Sequence, residues 1–384
     1  MAGASRAMIR NYADDLRLFP TAAKRVSLVV LIALYLVIPY LINDEWASVL
    51  ALAGVVAIGA IGLNLLTGYT GQPSLGMAAF IGLGAFIAGY YGGGRIADGI
   101  GYEFNVFVYL FIALVAGGVV GFVIGLPALR LRGNYLVIVT LGLVFVALYV
   151  WQKWTTFTGG NEGSPMPIKA DISLGFWSID FLKPTVLGKD LGPKQGLMYL
   201  AWGFVIVAAL LVKNIVRTRP GRALQAVRDR DVAAEIVGVS LFRYKVGAFV
   251  ISSAIATFAG VLYGLYLGYL TPDQTSLGLV LSIEFLAVIV VGGIGTIYGS
   301  ILGAILIGAL PKIIEQFVPD NWNLPVLGWP IVTNSAGATG FTKGALSTII
   351  YALLIIVFLV FEPRGLAGIW RRIQAYFKTW PFSY

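Results

Sequence analysis

The sequence predicts an all-α polytopic membrane protein of about ten transmembrane helices, some broken or re-entrant, with both termini in the cytoplasm. Three observations carry that prediction. Apolar runs of bilayer-crossing length recur from end to end, charged residues are scarce, and Lys and Arg gather at alternate span boundaries. Of the 384 residues, 58% are hydrophobic and 12% charged, about half the charged share of a soluble domain. The mean hydropathy is +0.86. Such a chain cannot bury its apolar surface in one aqueous core, so lipid must be its solvent. Backbone N–H and C=O groups in lipid need partners within the protein, which leaves helices or a closed barrel. The apolar runs are continuous, whereas barrel strands alternate, so helices are predicted.

Taken in order, runs of about 20 apolar residues place spans at 26–42, 46–66, 68–91, 104–126 and 134–151, then at 196–212, 246–268, 279–291, 297–318 and 344–361. The first run lacks a small-x-small cleavage site and is expected to be retained as a span. Basic residues fix the orientation. With Arg6, Arg10, Arg17, Lys24 and Arg25 inside, every second boundary is basic: Arg130 and Arg132, then Lys213 to Lys245, then the tail with Arg364, Arg371, Arg372 and Lys378. Outside loops are acidic or mixed. The expected division is a cytoplasmic segment 1–25, a membrane domain 26–361 and a cytoplasmic tail 362–384. The membrane domain carries an outer loop, 152–195, and a polar cytoplasmic segment, 213–245. The net charge of +9 follows from this inside bias, and no nucleic-acid partner is expected.

Cysteine and histidine are both absent. Disulfides, thiolate or imidazole metal sites and His-based catalytic triads are therefore excluded. Buried ionisable residues are few. Glu284 and Glu315 lie near the outer ends of their spans, where an interfacial or internally bonded role is expected. An ion-coupled carrier usually needs more intramembrane carboxylates than this, so the driving energy is expected from elsewhere.

Glycine is abundant, at 48 residues. Gly117, Gly121 and Gly125, then Gly260, Gly264 and Gly268, then Gly295, Gly299 and Gly303 recur every fourth position, a spacing for close helix packing. Two stretches differ. Residues 64–76 read NLLTGYTGQPSLG and residues 291–303 read VGGIGTIYGSILG. Their Gly content, and Pro73 in the first, predict broken or re-entrant helix at the cytoplasmic side. Broken helices expose termini that bind polar solutes. Asn64, Gln72 and Ser74 are the expected path residues, because an apolar solute with charged ends needs a few polar groups in an apolar groove.

The segment 219–239, RPGRALQAVRDRDVAAEIVGV, is the most polar helix expected. Pro220 suits an early helical position and Gly238 a stop. Ala223, Leu224, Ala226, Val227, Ala233, Ala234, Ile236 and Val237 form an apolar stripe, with Arg219, Arg222, Arg228, Asp229 and Glu235 around it. Its Ala-rich face offers poor lipid anchors, so contact with a cytoplasmic protein is expected.

These stretches, with Pro127-Ala-Leu-Arg-Leu-Arg-Gly133, Thr158-Gly-Gly-Asn-Glu-Gly163 and Gly292-Gly-Ile-Gly-Thr296, carry a resemblance from the second span to the ninth. The chain resembles the LivM-type permease subunits of branched-chain amino acid ABC importers, which are related to LivH-type partners and to urea and short-chain amide permeases. It departs from that pattern at Met77, where the family often has His, and at Asn161-Glu162-Gly163. The resemblance implies a pore paired with a second, LivH-like permease subunit, two separate cytoplasmic ATPase subunits and an extracytoplasmic solute-binding protein, in a prokaryotic plasma or inner membrane. It also implies that Arg222, Arg228, Asp229 and Glu235 sit in the segment coupling to the ATPases. The residues agree on one point: no G-x-x-x-x-G-K-[ST] phosphate loop occurs, so ATP and Mg²⁺ would be held by the partner ATPases and no cofactor by this chain. A urea or amide permease is the near alternative; an ion-coupled carrier or passive channel is the alternative of another class.

Overall fold

The computed structural model describes residues 22–93, 101–128, 135–160, 191–273, 277–317, 343–362 and 364–379, with strand pieces between them at 164–165, 171–173, 178–180, 185–186, 189–190, 322–323 and 330–332. The expected N-terminal segment up to residue 21, Arg130 and Arg132, and Asn161 to Gly163 lie outside the described residues.

Each expected span is met by a helix. They are α1 (Ala22–Leu41), α2 (Asp44–Asn64), α3 (Met77–Gly92), α4 (Val106–Ala128) and α5 (Tyr135–Lys153). A short α6 (Thr155–Thr158) leads to the outer loop, and α7 (Pro193–Arg217) follows it. Next come α8 (Arg219–Asp229), α9 (Asp231–Ile236), α10 (Leu241–Leu267), α11 (Leu279–Gly292), α12 (Ile297–Phe317), α13 (Lys343–Phe361) and α14 (Gly365–Thr379). Among the described residues, five helices are long and apolar enough to cross a bilayer: α2, α4, α5, α7 and α10. Shorter apolar helices accompany them.

Burial explains the arrangement. Helix α2 is apolar all round and buried along nearly its whole length, as a central helix must be. It packs against α7, α10 and α12, while α10 also packs on α3 and α4. Helices α1, α4, α5 and α13 stand outside with large apolar side chains exposed, among them Phe111, Val123, Tyr149 and Phe361. In water such a surface would drive association; facing lipid it has no cost. Tyr35 donates to Tyr199 O at 2.9 Å and Tyr199 donates to Leu36 O at 2.7 Å, fixing α1 on α7.

Four departures from the sequence reading stand out. The expected third span starts at Met77, not Gly68. Residues Leu65–Tyr69 instead prolong α2 as a π-helical turn, and residues 71–76 form an irregular connection with Gly71 at φ 72°. The charged helix expected over 219–239 is two helices, because Arg230 is extended (φ −155°, ψ 105°). Gly238, at φ 86°, ends the second. The tail expected over 362–384, for which the sequence reading named no element, contains α14. Finally, the fold is not purely helical: β1 (Ser164–Pro165) pairs antiparallel with β6 (Tyr269–Leu270), and three further two-stranded ladders join β2 (Asp171–Ser173) to β3 (Ser178–Asp180), β4 (Thr185–Val186) to β5 (Lys189–Asp190), and β7 (Trp322–Asn323) to β8 (Pro330–Val332).

Candidate functional site

The two glycine-rich stretches meet. Asn64, at the last turn of α2, donates through Nδ2 to Thr296 O at 2.9 Å and to Ser300 Oγ at 2.7 Å. Its Oδ1 accepts from Gly295 N at 2.8 Å. One buried carboxamide thus ties the end of α2 to the Gly293–Thr296 turn between α11 and α12. The turn itself needs glycine: Gly293 and Gly295 stand at φ 124° and 77°. Both Nδ2 protons of Asn64 have protein acceptors, so it acts as a joint between helices and keeps no donor for a solute. The sequence did not single out Thr296 and Ser300 as its partners. The available signal was that both stretches are glycine-rich and expected to interrupt helices on the same side; they prove to be contacting turns.

The π turn supplies the second feature. A π turn shifts the backbone register by one residue and leaves carbonyls without their α-helical donors. Thr70 Oγ1 donates to Leu65 O at 3.0 Å. The Gly68 carbonyl is reached from another element: Arg228, in the last turn of α8, donates through Nη1 at 2.5 Å. A Cβ on Gly295 would lie 2.8 Å from that same Nη1, and a Cβ on Gly71 3.2 Å from Arg228 Cγ. A charge-assisted bond of this kind is worth about 1.5–3 kcal/mol. Arg228 therefore holds the polar helix pair against both interrupted-helix turns.

The irregular segment 71–76 and the start of α3 are pinned from two sides. Leu75 N donates to Thr140 Oγ1 of α5, and Ala78 N to Ser282 Oγ of α11, each at 3.0 Å. Ser74 is buried, and its Oγ accepts from Gly76 N at 3.3 Å, a local turn bond at the start of α3. Gln72 differs from its neighbours. It is 6% exposed, and neither Nε2 nor Oε1 has a hydrogen-bond partner among the described residues. An unpaired buried amide costs about 1–3 kcal/mol, which a polar ligand would relieve. Of the three expected path residues, Asn64 is a joint, Ser74 caps a turn, and Gln72 carries the unsatisfied group.

On α8, Gly221, Leu224 and Val227 face the protein, while Arg219, Arg222 and Asp229 are exposed. On α9, Ala234 is buried and Glu235 exposed. The expected stripe does not continue inward across the Arg230 break: Ile236 and Val237 are 83% and 81% exposed. Two aliphatic side chains beside Glu235 thus stand free of the bundle.

Most ladder glycines sit at close approaches between helices; Gly268 instead ends α10 at φ 76°, with nothing within 4 Å of a notional Cβ. A Cβ on Gly117 or Gly121 would lie 2.3 Å from Thr257 Oγ1 or 2.6 Å from Ser253 Cβ of α10. On Gly260 it would lie 2.1 Å from Ile81 O of α3. On Gly299 and Gly303 it would meet Gly292 O at 2.6 Å and Val288 O at 2.1 Å. Gly264 is buried in α10, and Glu284 is half-buried in the second turn of α11.

At the far end of the bundle from the Asn64 joint, Asp44, Glu45, Ser48, Lys194, Tyr266 and Pro311 line a cleft of about 440 Å³. Lys194 Nζ donates to Tyr266 O at 2.6 Å and lies 4.3 Å from the centroid of that ring. Among the described residues there is no cluster of three or more His, Cys, Asp or Glu that could hold a metal ion.

Comparison with known proteins agrees with this architecture. A family model described as branched-chain amino acid transport system / permease component matches residues 46–359. The chain is 31% identical over 321 residues to the high-affinity branched-chain amino acid transport system permease protein LivM of Escherichia coli K12, covering 80% of this chain and 72% of that one. It is 22% identical to the corresponding LivH protein of Salmonella typhimurium, over 83% and 92% of the two chains. To the autoinducer 2 import system permease protein LsrC of an Enterobacter strain it is 28% identical, over 74% and 76%. No solved structure matches. Matched by the family model over residues 46–359 and 31% identical to the LivM protein over 80% of its length, the chain belongs to the branched-chain amino acid transport system permease family.

Proposed function

We propose that this chain is the pore-forming subunit of an ATP-driven importer of branched-chain amino acids. It spans the membrane about ten times, with both termini and the Arg219–Ile236 helix pair in the cytoplasm. It pairs with a second, LivH-like permease subunit, takes its energy from two ATPase subunits that hold ATP and Mg²⁺, and receives substrate from a binding protein at the outer loop 152–195. The chain itself binds no cofactor and catalyses no reaction. The cleft beside Lys194 and Tyr266 is the outer mouth. The single observation that carries the proposal is the contact of Arg228 with Gly68 O. It joins a polar helix pair bearing exposed Ile236 and Val237 to the turns that interrupt the spans. A push on α8 and α9 is thereby delivered to α2, and through Asn64 to α11 and α12.

Gln72 is the group proposed to meet the substrate. Its amide offers a donor and an acceptor, which suits the ammonium and carboxylate ends of a zwitterion whose side chain prefers apolar walls. The test is uptake of labelled leucine by proteoliposomes holding the complete complex. Uptake should require internal ATP. In the Arg228→Ala complex, ATP hydrolysis should persist while uptake falls at least tenfold. Undiminished uptake in that variant, or uptake by this chain alone on an ion gradient, would overturn the proposal. Uptake of an amide in place of leucine would retain the machine and change the substrate.

A further inference from the structure

The C-terminal helix presents its apolar side away from the protein. In α14, Leu366, Ile369, Trp370, Ile373 and Tyr376 recur at i, i+3, i+4, i+7 and i+10, the spacing of one helical face. Of these, Leu366 in the first turn packs against the core, and from Ile369 onward the stripe is exposed. Ala367 and Gly368 are buried, and Tyr298 donates to Ala367 O at 3.4 Å. Trp370 is 49% exposed and Tyr376 58%, with Ile369 and Ile373 exposed beside them. By contrast, the apolar residues of α8 are turned inward.

Position and charge say what covers this face. Only residues 362–364 separate α14 from the end of α13, so the helix starts at the depth where a span leaves the bilayer. Gly365 turns the chain there at φ 61°. A Cβ on it would lie 2.6 Å from both Gly293 N and Val291 O. Arg372 Nη2 pairs with Glu362 Oε2 at 2.7 Å, strapping the helix to the end of the span. Residues 364–379 contain four basic residues and no acidic one. Arg364 and Arg371 are exposed. A Trp and Tyr-bearing apolar stripe with a basic flank, at that depth, fits the headgroup boundary of an anionic leaflet.

We infer that α14 is an interfacial helix. It seats Trp370, Ile373 and Tyr376 in the cytoplasmic boundary of the bilayer and holds anionic phospholipid headgroups with Arg364 and Arg371. Because Gly365 and Ala367 abut the Gly293–Thr296 turn, lipid bound on α14 bears on the same turn that Asn64 ties to α2. Transport should therefore rise with the anionic lipid fraction; this consequence rests on the proposed importer function.

The absence of cysteine makes site-directed spin labelling direct. Ile373→Cys and Gln374→Cys, each carrying a nitroxide, are placed in the complete complex in nanodiscs of phosphatidylcholine and phosphatidylglycerol. The label at 373 should be open to oxygen and shielded from a nickel chelate, and the label at 374 the reverse. Equal exposure of both labels to the nickel chelate overturns the inference. So does a label at 373 that is shielded only when the ATPase subunits are present, which would make a partner protein the occupant. For the headgroups, native mass spectrometry should show Arg371→Gln retaining about five-fold less phosphatidylglycerol relative to phosphatidylcholine, the effect of about one surface cation. Unchanged retention removes the anionic-lipid claim. Labels as expected without nucleotide-dependent uptake would instead overturn the importer function and leave the helix assignment standing.

Discussion

Two carboxamides, eight residues apart, do opposite things, and their environments decide which. Asn64 gives and receives three hydrogen bonds across two turns. Replacing it with Leu strands Gly295 N, whereas Thr296 O still accepts from Ser300 N at 3.2 Å and Ser300 Oγ still reaches Thr296 O at 3.4 Å. At about 1–3 kcal/mol for a buried group left unpaired, together with the two bonds lost from Nδ2, the subunit should lose about 3 kcal/mol. Its melting temperature in detergent, measured by dye-free fluorescence, should fall by several degrees. The buried side-chain amide of Gln72 has no partner among the described residues, so Gln72→Leu removes an unsatisfied group and adds none. Its melting temperature should hold or rise, while the concentration for half-maximal leucine uptake should rise about ten-fold or more, the equivalent of one lost hydrogen bond of about 1.5 kcal/mol. A drop in stability with unchanged uptake would make Gln72 a structural residue. The sequence offered both as polar groups in a glycine-rich stretch. Only their partners, more than two hundred residues away for Asn64, tell them apart.

Among the elements, α3, α4 and α10 meet at backbone contact distance, and glycine makes that possible. Gly260→Ala would set a methyl 2.1 Å from Ile81 O, a clash that only separation of α3 from α10 relieves. Overpacking of this kind costs about 1–3 kcal/mol. Gly142, in α5, has nothing within 4 Å of its notional Cβ. Gly142→Ala should be neutral or stabilising by up to about 1 kcal/mol through helix propensity. Thermal melts of the two variants check the contrast; equal shifts would mean that the ladder spacing carries no packing information. This level was well legible in sequence, because a four-residue glycine period is a local signal. The break at Arg230 was not. The apolar positions on both sides of it continue one helical phase, and only the extended backbone at Arg230 divides them. Helix α14 was missed for a related reason: after ten spans, a basic tail reads as a solvated end, although its apolar residues already follow the period of a helix.

At the scale of the molecule, the contacts sort the chain into two ends, and the sorting agrees with the charge pattern. Gly68, Arg228, Gly295 and Gly365 lie close together through the contacts of Arg228 with Gly68 and Gly295 and of Gly365 with Gly293. Asp44, Lys194 and Tyr266 meet at the other end, and Gln152 donates to Pro272 O at 3.0 Å. If Lys and Arg mark the cytoplasmic side, the first group is inside and the second outside. The helix order then alternates without exception. The sequence made the helices legible because lipid demands long apolar runs, and it sets an orientation to be tested because basic loops resist translocation. It could not show which loops touch, since those contacts are single hydrogen bonds with no periodic trace. A cysteine-free chain turns this into a direct measurement. Tyr269→Cys and Val237→Cys place single thiols on exposed side chains at the two ends. On intact cells or right-side-out vesicles, a membrane-impermeant maleimide should label Tyr269→Cys fully. Val237→Cys should label only after permeabilisation, and should be protected when the ATPase subunits are bound. Labelling of Val237→Cys from outside would invert the topology, put the Arg228 contact on the wrong side of the membrane for any nucleotide-driven partner, and remove the basis of the importer proposal.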